Sequence, residues 1–141
     1  MTSQLNVDTI VDKAGSGGTN VKIGNTSTYV ADGGSATQNT VQGLAKHWLN
    51  LDGTGTIAIS DSFNCASVTD DGTGDYDPFF TNNMNNTVYS GAGACPSGAG
   101  DHSVLNIATL ATNKYRLLVS DGNQTLEDTD PAMTQINGDL A

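Results

Sequence analysis

The sequence predicts an all-β protein: a small antiparallel β-sandwich, jelly-roll-like in its strand count, preceded by an extended N-terminal arm. Three observations carry this. First, the tetrapeptide Asp-Gly-Thr-Gly occurs twice, at Asp52–Gly55 and Asp71–Gly74. Asp-Gly is a strong tight-turn signal, because Gly reaches positive φ without a Cβ clash and Asp bonds its own backbone. Second, the short apolar stretches alternate with the period of two that a strand imposes. Third, Thr, Asn and Gly supply 18, 14 and 17 of the 141 residues, against one Glu and four Lys. Such a chain favours strands and turns over helices.

Taken in order, the expected strands begin with Lys46–Leu51, which runs into the first Asp-Gly corner, and Thr56–Ile59, which leaves it. Asn64–Thr69 alternates more weakly, with Phe63, Cys65 and Ser67 on one face and Asn64, Ala66 and Val68 on the other, and ends at the second corner. Tyr76–Thr81 follows and contains Pro78, whose missing N–H predicts an edge or shortened strand. Thr87–Ala92, Ser103–Leu110, Tyr115–Ser120 and Ala132–Asn137 complete a set of eight, a count and turn spacing that suit a sandwich or jelly roll. The expected core is Trp48, Leu49, Ile57, Ile59, Phe63, Val68, Phe80, Val88, Leu105, Ile107, Leu117, Val119, Met133 and Ile136.

Charge divides the chain. The formal net charge is -10, yet residues 1–46 balance three Lys against three Asp, so residues 47–141 carry all of it. The polar, glycine-containing run Val30–Gly43 lies just before that boundary. The expected organisation is therefore an attachment arm and linker over 1–44 and a sandwich head over 45–141. An acidic head argues against nucleic acid, which needs clustered Lys and Arg, and against anionic membrane surfaces. No stretch approaches the roughly 20 apolar residues of a membrane span, and the opening residues lack the features of a signal peptide.

In the arm, Leu5, Val7 and Val11 fall on one face of an extended segment, with Ile10 beside them, and Val21 and Ile23 begin a second short strand. Two such strands bury too little apolar area to order themselves. These six residues are the candidates for attachment and oligomerisation.

The stretch "VDTIVDKAGSGG", Val7–Gly18, resembles an N-terminal signature of tail-fibre and other virion proteins of marine tailed phages. "AKHWLNLDGTGTIAISDSFNCASVTDDGTGDYDPFFT", Ala45–Thr81, resembles a module of cyanophage-type fibre-like proteins. Lys46, Trp48, Asn50, Gly53–Gly55, Asp61–Asn64 and Gly72–Tyr76 match its pattern. Ser60 stands where that family usually has Arg, and Asp77-Pro78-Phe79-Phe80 where it alternates Thr and Val. The resemblance implies a non-enzymatic virion structural protein, trimeric, decorating or reinforcing a capsid or forming a short head or tail fibre. Its partners would be capsid or tail proteins, and it would be assembled in the host cytoplasm. The other reading is a receptor-binding fibre tip that holds a host-surface glycan.

Candidate chemistry is sparse. His102 has Asp101 and Ser103 as chain neighbours, but adjacent strand residues point to opposite faces and make no triad. His47 reads as a subunit contact or a solvated ring. No cofactor is expected, except that hard oxygen ligands on Gly-rich turns could hold calcium: Asp70, Asp71 and Asp75 in one loop, Asp121, Asn123 and Asp128 in another. Tyr76 and Phe79, flanking Pro78, are candidates for a surface receptor platform. Cys65 and Cys95 are too few for a disulfide framework and read as free thiols, a bridge requiring neighbouring strands. Twelve acids in the head predict self-repulsion relieved by salt or mild acid.

Overall fold

The computed structural model describes residues 27–30, 35–96 and 103–141. The six attachment candidates Leu5, Val7, Ile10, Val11, Val21 and Ile23, together with His102, lie outside the described residues. By contacts the chain divides between Val41 and Gln42. On the N-terminal side, β1 (Thr28–Val30) and β2 (Thr37–Asn39) form an antiparallel hairpin, Thr28 opposite Asn39. Among the described residues there is no helix, and none is therefore long and apolar enough to cross a membrane.

The C-terminal side is an antiparallel sandwich of eight strands: β3 (Ala45–Asp52), β4 (Ala58–Phe63), β5 (Cys65–Gly72), β6 (Asp75–Phe80), β7 (Ser90–Ala94), β8 (Val104–Ala108), β9 (Arg116–Ser120) and β10 (Ala132–Asn137). One sheet runs β4-β3-β10-β7 and the other β5-β6-β9-β8. Hairpins β3–β4, β5–β6 and β8–β9 each stay within a sheet, while the first strand of the sandwich pairs with its last, β3 with β10. The chain changes sheet between β4 and β5 at a single residue, Asn64. Asn64 adopts φ 58°, one of the few non-glycine types that does so readily. Its side chain donates to the carbonyls of Lys46 and Asn82 at 2.9 and 3.0 Å and accepts from the Asn82 N–H at 2.6 Å.

The core follows from strand parity. His47, Leu49 and Leu51 of β3, and Ala132, Thr134 and Ile136 of β10, point inward from one sheet. Tyr76, Pro78 and Phe80 of β6, with Tyr115, Leu117 and Val119 at β9, meet them from the other. A hydroxyl pair crosses between the sheets, Tyr115 Oη to Thr134 Oγ1 at 2.5 Å. At the far edge β7 is thin. Gly91 and Gly93 face inward, where a Cβ would come within 2.4 Å of Ile107 and of Leu105 respectively, so the side chains of β8 fill what β7 lacks.

Four expectations are corrected. Trp48, Phe63 and Met133 are not core: they are 37%, 51% and 40% exposed, because His47, Leu49 and Leu51, and Ala132, Thr134 and Ile136, hold the inward parity. Ile59 and Val88 are also exposed. His47 is neither solvated nor a surface contact but fully buried, edge-on to Phe80 and Tyr115 with centroids 5.2 and 5.4 Å away. Finally, β6 is an interior strand despite Pro78. The proline falls where the β6–β9 register stops after two pairs, so the missing N–H removes little, and its carbonyl still accepts from Tyr115 N at 3.3 Å.

Neither ring nitrogen of His47 has a hydrogen-bond partner. Burial lowers its pKa from 6.5 to about 4. Well above pH 6.5 the imidazole is neutral in both folded and unfolded chains and contributes no pH dependence. Between 6.5 and 4 the unfolded chain takes up a proton that the folded core refuses, so stability falls as pH falls, by about 3 kcal/mol in total. Urea unfolding from pH 7 to pH 4 is expected to show this loss, and His47→Leu is expected to remove it. Parallel pH profiles for the two proteins would overturn the assignment.

Candidate functional site

Two regions gather polar chemistry: the end of the sandwich that carries the two Asp-Gly-Thr-Gly turns, and the outer face of the β4-β3-β10-β7 sheet. At the first, residues distant in sequence converge on the turns. Gly53, just past β3, donates its N–H to Thr129 O at 2.9 Å. Gly74, just before β6, donates to Asp128 Oδ1 at 2.8 Å, and Tyr76 Oη donates to the same oxygen at 2.7 Å. Tyr76 Oη also lies 3.3 Å from Gly53 O. Glycine is required at both turns. A Cβ on Gly53 would sit 2.3 Å from the Tyr76 hydroxyl, and one on Gly74, at φ 64°, would sit 2.4 Å from Val119 O. Burial first, then the bond to Asp128, raises the Tyr76 hydroxyl pKa, which keeps it a donor.

The acids proposed for calcium are spent differently. Asp70 Oδ1 accepts from Gly72 N at 3.0 Å, and Asp121 Oδ1 accepts from the N–H groups of Asn123 and Thr125, each at 2.8 Å. Both are side chains closing their own turns. Asp75 takes a two-pronged contact from Arg116, with Nε to Oδ1 at 2.8 Å. These hydrogen bonds lower its pKa, against the opposing effect of burial. Asp77 pairs with Lys114. Asp71 is exposed in the β5–β6 hairpin. Among the described residues no three His, Cys, Asp or Glu side chains gather as a metal site.

Tyr76 and Phe79 do not form a surface platform. Three residues apart on one strand, they take opposite faces. Tyr76 is fully buried, and Phe79 is half-buried with the Lys114 ammonium 5.1 Å above its ring. Cys65 and Cys95 are both free and half-buried, and burial pushes both thiols up, away from nucleophilic character.

The second region was not anticipated. On the outer face of the first sheet, register places Phe63, Trp48, Gln135 and Ala92 in one row across four strands. Asp61, Asn50, Met133 and Ala94 form the next row. Trp48, Asn50, Gln135, Met133 and the two alanines line a shallow depression of about 500 Å³. Asn50 Oδ1 is buried in this face without a hydrogen-bond partner. Parity was the available signal: Lys46, Trp48, Asn50 and Asp52 alternate with His47, Leu49 and Leu51, so Trp48 shares its face with polar residues.

No protein-family model, curated protein or solved structure matches this chain.

The turn contacts generate a stability test. Asp128→Ala leaves the Gly74 N–H and one bond of Tyr76 unmet and is expected to cost about 2–4 kcal/mol, whereas Asp128→Asn retains an acceptor oxygen and should cost about 1 kcal/mol. Equal and small losses for both variants in urea unfolding would show that the carboxylate does not hold the turns.

Proposed function

We propose that this chain is a non-enzymatic structural protein of a tailed-phage virion, a capsid decoration or short fibre. Its N-terminal arm attaches it to other virion proteins as a homotrimer, and its sandwich head faces outward. The observation that carries the reading is the resemblance of Ala45–Thr81 to the fibre-like module, joined to where the matched residues sit. Gly53–Gly55 and Gly72–Gly74 are the two turns held by Asp128 and Thr129. Asn64 of Asp61–Asn64 is the corner between sheets, and Tyr76 joins the turns from within the core. Gly53, Asn64, Gly74 and Tyr76 of the motif are thus spent on architecture, as a scaffold module requires. The charge distribution supports the same orientation, with residues 1–46 balanced and suited to burial and residues 47–141 carrying the net charge of -10 and suited to solvent.

Particle incorporation tests this. The full chain is expected in purified virions by mass spectrometry and immunogold labelling, and to sediment as a trimer when isolated. Deleting residues 1–34 should leave circular dichroism of the β type intact while the chain disappears from particles. Normal incorporation of the truncated chain would move attachment to the head, and absence of the full chain from particles would overturn the virion role.

A further inference from the structure

We propose that the outer face of the β4-β3-β10-β7 sheet is a binding platform for an uncharged glycan. Trp48 and Phe63 supply stacking rings, and Asn50, Asp61 and Gln135 supply hydrogen bonds to sugar hydroxyls. The inference stands on this face alone and does not rest on the virion reading.

The aromatic pair comes first. Trp48 and Phe63 are register partners on β3 and β4, both on the outer parity, and are 37% and 51% exposed. Exposing two neighbouring large rings forgoes burial worth about 2 kcal/mol each, and contiguous apolar surface of this kind marks interaction sites. A pyranose ring offers a face of polarised C–H groups to such rings and a rim of hydroxyls to whatever surrounds them.

The surroundings match that rim. Asn50 and Gln135 occupy the outer positions next to Trp48, and Asp61 is the register partner of Asn50. An amide offers a donor and an acceptor in one plane, which suits a pair of adjacent hydroxyls, and a carboxylate accepts from one or two of them. Asn50 lines the depression, and its Oδ1 is buried there without a partner. At the far side, Ala92 and Ala94 of β7 keep the wall low, so the platform stays open and a sugar chain can cross it.

Size and charge decide between occupants. Four strands at about 4.8 Å spacing and one two-residue step of about 7 Å give a grid of about 14 by 7 Å, roughly 100 Å². One or two sugar rings need no more than the grid supplies, whereas a stable protein interface takes about 800 Å² from each partner and has to extend well beyond these eight positions. Asp61 lies on the face and the head is strongly acidic, which disfavours sulfated, phosphorylated or carboxylated sugars. Lys46, two residues along β3 from Trp48, is buried with its ammonium 2.8 Å from Leu44 O.

Trp48 is the single tryptophan of the chain, so its fluorescence reports this face directly. The full chain is titrated with neutral hexasaccharides of glucan, mannan and galactan type, reading emission and acrylamide quenching. At least one is expected to protect Trp48, with binding unchanged in 1 M sodium chloride. Phe63→Ala should weaken that binding about tenfold, Trp48→Phe should retain it by calorimetry, Trp48→Ala should abolish it, and Val88→Ala, exposed outside the grid, should leave it unchanged. Failure of all three glycan classes to protect Trp48 overturns the sugar assignment. So does protection that depends only on protein concentration and vanishes when Trp48→Ala shifts the sedimentation coefficient, which would assign the face to a second copy of the chain.

Discussion

The sandwich depends on one carboxylate oxygen. Asp128 Oδ1 accepts from Gly74 N and from Tyr76 Oη, while its neighbour Thr129 accepts from Gly53 N. Gly53 follows β3 of one sheet, Gly74 precedes β6 of the other, and residues 127–131 lead into β10, the neighbour of β3 in the first sheet. One loop therefore sets the separation of the two sheets at this end. It also sets the phase of β3, β6 and β10, because a slip of one residue in any of them would turn its buried side chains outward. The tetrapeptide makes one corner in each sheet, and a different glycine of it makes room for atoms arriving from elsewhere in the chain: the first, Gly53, for the Tyr76 hydroxyl, and the second, Gly74, for the Val119 carbonyl.

What could be read from sequence were the local signals. The tight corners, the eight strands and the absence of helix formers all follow from chemistry within a few residues of each position, and the observed strands overlap the expected ones. The Asp128 contacts were not legible, since they join residues 52 and 54 positions apart and only folding brings them together. The core was misread where a large ring outweighed parity. Trp48 is the most hydrophobic-looking residue of β3, but its strand neighbours on the same face are Lys46 and Asn50, and three inward residues outvote one outward ring. Proximity to Pro78 suggests a surface place for Tyr76, but its hydroxyl, bonded to Asp128, is what allows the ring inside. Asn50 and Asp61 fall in the matched stretch and Gln135 lies far outside it, and only register makes the three neighbours.

Charge behaves differently from the expectation of a uniformly repelling head. The head's two cations beyond Lys46 are not diluted among twelve acids but are set against Asp75 and Asp77 on one outer face. Mild acid then has opposing effects. Protonating exposed carboxylates relieves repulsion, while the buried imidazole of His47 resists the proton that its unfolded counterpart accepts. Asp75 acts in the same direction as His47, because a carboxyl whose folded pKa is lowered stabilises above its unfolded pKa and loses that contribution as pH falls. Salt screens the repulsion between exposed carboxylates and also weakens the Lys114–Asp77 and Arg116–Asp75 pairs, whose cations are partly exposed.

The two outer faces of the sandwich are therefore unlike. On β6 and β9 the outward positions carry Asp75, Asp77 and Arg116, with Lys114 over Phe79, and the ions satisfy one another. On β3, β4 and β10 the outward parity carries Trp48, Phe63 and Met133 among the amides of Asn50 and Gln135, the carboxylates of Asp52 and Asp61, and Lys46 at one end, with an acceptor left unmet. Both sheets have the same inward demand and comparable cores, so stability does not require this difference. A face that served only solubility would be built like the β6–β9 face, from charges in water. The Trp48 face forgoes that solvation and keeps rings where burial is incomplete, which is the arrangement expected of a surface that acquires its missing contacts from outside the chain.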